Sequence, residues 1–189
     1  MKYSKLNKKA LDVLCRAGAL GDLIDERFTG DKHFWSAAIV DRPKSRKKFD
    51  ENIETYRPEG SFSENEKICS LANLTGTFPL SMVMSDSIRN KVDKYGAPPI
   101  SEYDPDLIVC WGVVREVVKK KSKNGKYFYT VKVIDSNSVE TKIRCWGVNP
   151  DKDMLHINKP YLIKPKYSDD WGFSTYGAIT GGNTWAILI

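Results

Sequence analysis

The sequence changes character across a proline-rich connector, and this change constrains the fold more than any other feature of the chain. Before the connector, APPISEYDPD (residues 97–106), apolar residues recur at helical spacing. After it, short runs of β-branched and aromatic residues alternate with turn residues. Prolines at this density favour a stiff connector. We therefore predict an α+β protein with a helical domain at residues 1–100 and a β domain at residues 101–189.

Residues that cap helices stand before three segments of helical periodicity in the first half: Asn7, Ser63 and Ser85. Ser63 also forms a capping-box pair with Glu66. His33 lies among aromatic residues on a further predicted helix, where a packed structural histidine is the favoured interpretation. The predicted helices are residues 8–17, 32–40, 64–74 and 86–95.

The second half is predicted to form five strands. Three strands come first, then one helical turn at residues 150–157, then two more strands, and the apolar tail at residues 184–189 could add another short one. This is the order of a five-stranded OB-fold β-barrel, although other small barrels share the spacing. The predicted strands are residues 107–118, 127–134, 139–146, 161–167 and 173–179.

The positive charge of the chain is confined to the predicted β domain. Residues 1–106 carry 17 basic and 17 acidic residues, whereas residues 107–189 carry 13 and 7, which accounts for the whole net charge of +6. A local surplus of this kind indicates a surface for a polyanion. Surplus lysine also aids solubility, and the charge alone favours neither interpretation.

Alternation along the second and third predicted strands separates an apolar set, such as Val131 and Ile143, from a mixed aromatic and cationic set. Cations neutralise phosphate and aromatic rings stack on bases, so this combination is typical of single-strand binding. The alternative is that the aromatic residues pack under a loop and the lysines are merely solvated. The mixed set is Phe128, Thr130, Lys132, Lys142, Arg144 and Trp146.

Two turns add further candidates for binding. A hairpin turn concentrates five lysines that could hold phosphates without reading bases. Trp171, after an acidic turn, could clamp a base or could plug the end of the barrel. The lysines are Lys119, Lys120, Lys121, Lys123 and Lys126.

The order of several segments resembles one family, the bacterial DNA polymerase III alpha subunit. KLNKKALDVLCRAGALGDL (5–23) is similar to the end of its tandem helix-hairpin-helix region, and LANLTGTFPL (71–80) to a later segment. WGVVREV (111–117), KNGK (123–126) and VKVID (131–135) resemble its OB domain. The resemblance implies a helix-hairpin-helix remnant, a connector and an OB-fold that binds single-stranded DNA. A polymerase core or a sliding clamp is then an expected partner.

The sequence also departs from that family. Ala72 and Phe78 stand where the family has Gly and His, and the phosphate-gripping first hairpin and the catalytic domains have no counterpart. The chain contains no Gln, with which the family's clamp-binding peptide begins. These differences argue against duplex binding by the helical half.

Other function classes have little support in the sequence. The four cysteines and two histidines lack zinc-site spacing, so no metal or cofactor is expected and the thiols are interpreted as reduced core residues. No phosphate loop or nucleophile elbow is present, so we predict no enzymatic activity. The absence of a long apolar run or an apolar signal segment predicts a cytoplasmic protein, and the resemblance implies a bacterial cell or a phage-infected host.

The sequence therefore predicts a non-catalytic, single-stranded DNA-binding module of a replicative polymerase or of a replication-associated protein, viral proteins included. Two alternatives remain open at this stage. One is an adaptor that binds another replication protein, and the other is an OB-fold that binds RNA or tRNA.

Overall fold

The computed structural model describes residues 7–149, 154–177 and 185–189. The predicted α+β class is confirmed, since helices occupy the first part of the chain and a curled mixed sheet the second. The chain divides into two compact units, Met1–Pro79 and Leu80–Ile189. The second unit thus includes the connector and the helix before it, whereas the sequence placed the domain boundary at residue 100.

Two helices of the first unit, α1 and α4, begin at the predicted caps. The Asn7 side chain accepts a hydrogen bond from the backbone N–H of Ala10 at 2.8 Å. Ser63 and Glu66 form the predicted capping box. A further helix, capped by Ser45, covers the basic run at residues 46–48. The helices are α1 (Lys8–Arg16), α2 (Asp31–Phe34, continued by a π-helical turn at Trp35–Val40), α3 (Arg46–Tyr56) and α4 (Glu64–Thr75).

His33 is a structural residue of this helical unit, as predicted. Its side chain is fully buried, and Nε2 donates to the carbonyl oxygen of Ile53 at 2.7 Å. Nδ1 accepts from the backbone N–H of Thr29 at 3.0 Å. Both ring nitrogens of a neutral imidazole are therefore satisfied, which is how a buried polar side chain avoids a desolvation penalty.

The described residues of the second unit form one α-helix, α5 (Asp86–Lys94), which begins after the predicted cap Ser85. Its described residues form seven strands rather than the five predicted. The predicted fourth strand is two strands separated by Lys164 and Pro165, and the tail adds a seventh strand. The strands are β1 (Cys110–Lys121), β2 (Tyr127–Ile134), β3 (Glu140–Trp146), β4 (Pro160–Ile163), β5 (Lys166–Ser168), β6 (Gly172–Tyr176) and β7 (Ala186–Leu188).

The predicted helical turn between the third and fourth strands is not observed where the structure describes it. Residues 154–157 form no helix, and residues 150–153 lie outside the described residues. The backbone N–H of Asn158 instead donates to the carbonyl oxygen of Val114 at 2.7 Å, and its side chain accepts from Arg115 at 2.5 Å. The segment that leads into β4 is thereby attached to β1.

The seven strands form one sheet in the order β5-β6-β3-β2-β1-β4-β7. β3 and β6 are parallel, and the other pairs are antiparallel. β4 and β5 lie near opposite edges of this order, yet only two residues connect them. Three Cα–Cα steps cover at most about 11 Å, so the two edges must approach each other. The sheet therefore curls into a half-barrel.

The inner face of this sheet carries the apolar core of the second unit. Val114, Val133 and Ile143 are buried there. Their neighbours along each strand point to the opposite face, because side chains alternate along a strand. The packing of the core therefore determines which residues of β2 and β3 the outer face presents.

Three of the four cysteines are buried thiols, as predicted, and Cys69 is the exception because it is exposed on α4. Burial raises the pKa of Cys15, Cys110 and Cys145 to about 12 in each case. At pH 8 only about one in ten thousand of such thiols is a thiolate, which is the reactive form.

We expect one thiol of the folded protein to react quickly with a thiol reagent such as DTNB at pH 8. The other three are expected to react only after unfolding in denaturant, because they are both protonated and inaccessible. The absorbance of the released thionitrobenzoate gives the number of thiols that have reacted. A Cys69→Ser variant should show no fast thiol, and two or more fast thiols in the parent protein would contradict the buried placement.

Candidate nucleic-acid interface

The outer face of β2 and β3 has the side-chain register that the alternation predicted. Phe128 pairs with Trp146, Thr130 with Arg144, and Lys132 with Lys142. Thr130 is buried, whereas the other members of the set are half-buried or exposed. Arg144 and Trp146 pair in turn with Ser174 and Tyr176 of the parallel strand β6, which extends the face by one strand.

Two of the predicted aromatic residues pack on each other. The rings of Phe128 and Trp146 are stacked, with centroids 4.3 Å apart and planes inclined by 24°. Stacking stabilises this pair and orients the indole. Phe128 therefore positions Trp146 on the outer face, in addition to being a candidate contact itself.

Two clefts adjoin along the line of Trp146 and Tyr176. The first has a volume of 640 Å³ and is also lined by Lys126, Tyr127 and Gly147. The second has a volume of 350 Å³ and is bounded by Arg144 and Trp171 in addition to the two shared rings. Each cleft thus combines aromatic rings with a cation. That combination suits a planar, apolar group that carries an anion nearby.

Tyr176 is a site residue that the sequence reasoning missed. It is 68% exposed and lines both clefts. The sequence already placed Tyr176 in a predicted strand. Because it is two residues from Ser174, the two side chains lie on the same face of that strand. The missing fact was the parallel pairing of β3 with β6, which brings it beside Trp146.

Trp171 lies on the surface beside Arg144. Its side chain is 66% exposed, so the structure rules out the alternative of a plug at the barrel end. The guanidinium of Arg144 donates a hydrogen bond to the backbone oxygen of Trp171 and lies 6.0 Å from the centroid of its ring. Arg144 therefore holds the β5–β6 turn in place and also lines the second cleft.

The five lysines of the hairpin are all exposed, but they are divided between its two faces. Lys120 pairs with Phe128 and so lies on the outer face. Lys119 and Lys121 lie on the other face, where their ammonium groups are 4.5 and 5.6 Å from the centroid of the Tyr127 ring. Lys123 and Lys126 belong to the turn, and Lys126 lines the first cleft.

Among the cations predicted to bind phosphate, Lys132 is the least well placed to do so. Its ammonium forms ion pairs with Glu116 at 3.0 Å and with Glu140 at 3.2 Å. Hydrogen bonds to these carboxylates raise its pKa, so it remains charged but locally compensated. Lys142, its cross-strand partner, is exposed. A phosphate contact through Lys132 would have to compete with two carboxylates.

The described residues hold no cluster of three or more histidine, cysteine, aspartate or glutamate side chains that could bind a metal ion. Within the same described ranges, no helix has the length and apolar character needed to cross a membrane. No protein-family model matches the chain, and no curated protein matches it significantly.

Proposed function

We propose that the unit Leu80–Ile189 is an OB-fold module that binds single-stranded DNA and is not itself catalytic. The observation that carries the proposal is the pair of clefts along Trp146 and Tyr176, each with a cation in its wall. Bases stack on such rings whatever their identity, with about 1–3 kcal/mol per base. Duplex bases are already stacked on one another, so this chemistry favours a single strand.

The sheet topology supports the OB-fold part of the proposal. β1, β2 and β3 form a meander, β1 also pairs with β4, and β3 pairs with β6. If β4 and β5 are one strand interrupted at Pro165, the sheet is a five-stranded Greek-key barrel with β7 added at β4. The second and third strands of that fold are the usual oligonucleotide face, and here they carry Trp146 and Arg144.

The charges of the outer face complete the expected binding site. Lys120, Lys126 and Arg144 lie next to the aromatic clefts, and Lys142 lies further along β3. Each can neutralise one phosphate of a strand that passes over Trp146 and Tyr176. Ring stacking and charge neutralisation do not depend on the identity of the base, so we expect weak, sequence-tolerant binding.

A role in DNA replication is proposed from the sequence resemblance to the C-terminal region of the polymerase III alpha subunit. α1 and the turn after it, at Gly18 with φ of +81°, correspond to the resembling segment at residues 5–23. In that role the module would hold the template strand near a polymerase core. A core polymerase or a sliding clamp is the protein partner that this role requires.

The dependence of binding on salt tests the DNA-binding function. With four cations in contact with phosphate, the slope of log K against log salt should be about −3, because each single-strand phosphate contributes about −0.7. Fluorescence anisotropy of a labelled oligo-dT, titrated at several salt concentrations, gives this slope.

The same assay separates the proposed function from its alternatives. Tighter competition by an RNA oligonucleotide than by the DNA of the same sequence would favour an RNA-binding module instead. The absence of any binding at low salt would refute nucleic-acid binding and leave the adaptor function.

A further inference from the structure

A third aromatic cleft in the β unit shares no residue with the two clefts of the outer face. It has a volume of 440 Å³. Tyr103 and Tyr167 both pack against Phe173, with ring centroids 5.2 and 5.1 Å away and planes inclined by 86° and 62°. Ser101 and Pro105 complete the lining. Both tyrosine rings thus meet Phe173 edge to face, and we refer to these three rings as the aromatic cage.

The cleft is held in shape by hydrogen bonds and strand pairing. The buried carboxylate of Asp135 accepts from the backbone N–H of Ser101 at 2.8 Å, and the Asn137 amide donates to the Ser101 hydroxyl at 2.9 Å. These bonds fix the turn that leads to Tyr103. On the other wall, Tyr167 is the cross-strand partner of Phe173 in the β5–β6 hairpin. The cage is therefore formed before any ligand binds.

The two chain segments that supply the lining of this cleft are acidic, although Lys166 directly precedes the second segment and Arg144 donates to the backbone oxygen of Trp171 within it. Residues 101–106 (SEYDPD) and 167–173 (YSDDWGF), which supply every lining residue, contain five acidic and no basic residues. The lysine hairpin at residues 119–126 contains five basic and no acidic residues. A polyanion is repelled by such a rim, whereas a cation gains from both the carboxylates and the ring faces. The acidic composition of both segments therefore favours a cationic ligand.

We propose that the cleft of Tyr103, Tyr167 and Phe173 binds an arginine side chain of a partner protein. A guanidinium is planar and weakly hydrated, so it stacks on aromatic faces at a low desolvation cost. Its N–H groups can donate to a carboxylate of the acidic segments that line the cleft, while the ring faces hold its plane. Lysine offers a compact, strongly hydrated charge and fits these walls less well. The site would recruit a protein, whether or not the outer face binds DNA.

A peptide titration tests this proposal. The probe is Ac-Gly-Arg-Gly-NH2, and its matched controls carry lysine, norleucine or glutamate in place of arginine. Backbone amide shifts in a ¹⁵N-labelled sample of the full chain report the binding site. We expect saturable shifts at Tyr103, Tyr167 and Phe173, with arginine at least about fivefold tighter than norleucine. Equal binding of norleucine, or no saturable shift, would overturn the proposal.

Variants of Tyr167, the most exposed ring of the cage, test whether the aromatic rings are responsible for arginine binding. Tyr167 is 54% exposed, so Tyr167→Leu should fold, and it should weaken arginine binding about fivefold or more. Tyr167→Phe should bind as the parent does, because the ring face is kept. Tyr176→Leu, on the outer face, should leave peptide binding unchanged even if it abolishes DNA binding. Arginine binding that depends on Tyr176 and not on Tyr167 would refute the site.

Discussion

Replacing Tyr176 with alanine is expected to weaken oligo-dT binding about tenfold or more. Tyr176 lines both clefts of the outer face, so one truncation removes a stacking surface from each. A stacked base contributes about 1–3 kcal/mol, which corresponds to roughly 5- to 150-fold in affinity. Because the side chain is 68% exposed, its loss should not disturb the core. Fluorescence anisotropy at fixed, low salt measures the change.

Two matched variants show whether that loss comes from stacking. Tyr176→Phe keeps the ring and should bind within about twofold of the parent. Tyr95→Ala removes a tyrosine of similar exposure, 62%, that lies at the end of α5 and lines neither cleft. It should leave DNA binding unchanged. If Tyr95→Ala and Tyr176→Ala weaken binding equally, the ring chemistry of the clefts is not responsible.

The second large effect concerns stability, at His33. His33→Ala is expected to lower the free energy of unfolding by about 3–5 kcal/mol. The substitution leaves the Thr29 N–H and the Ile53 carbonyl without their ring partners and creates a cavity beside Phe28, whose ring is 5.2 Å from that of His33. Urea unfolding followed by circular dichroism measures the loss.

The other histidine of the chain provides the control for this experiment. His156 is exposed, so His156→Ala should change the unfolding free energy by less than about 0.5 kcal/mol. His33→Gln keeps a donor near the position of Nε2 and should be intermediate. If His33→Ala costs no more than His156→Ala, the buried hydrogen bonds do not stabilise the protein as the structure indicates.

Tertiary contacts reduce the contribution of Lys132 to the positive surface. In the sequence it counts toward the +6 and shares a face with Lys142 and Arg144. In the structure it lies between Glu116 of β1 and Glu140 of β3, two residues that neighbour it only through strand pairing. The positive surface is therefore displaced toward the hairpin and the aromatic clefts.

Local rules were sufficient for the helix caps and for the side-chain alternation of β2 and β3. Asn7 and Ser63 satisfy backbone N–H groups within three residues of themselves, so their role depends on sequence alone. Alternation on β2 and β3 has a period of two, and the apolar set had to face the core. The stacked pair of Phe128 and Trp146 follows from that register.

The sequence by itself determined the α+β class, the helix starts and the mixed aromatic and cationic face, because each rests on interactions between residues close in the chain or on a fixed periodicity. Only the tertiary structure decided the break at Pro165, the parallel pairing that places Tyr176 beside Trp146, the compensation of Lys132 and the cage around Phe173. Apart from the break, these features depend on contacts between residues on different segments, and strand pairing and the curl of the sheet determine which residues meet.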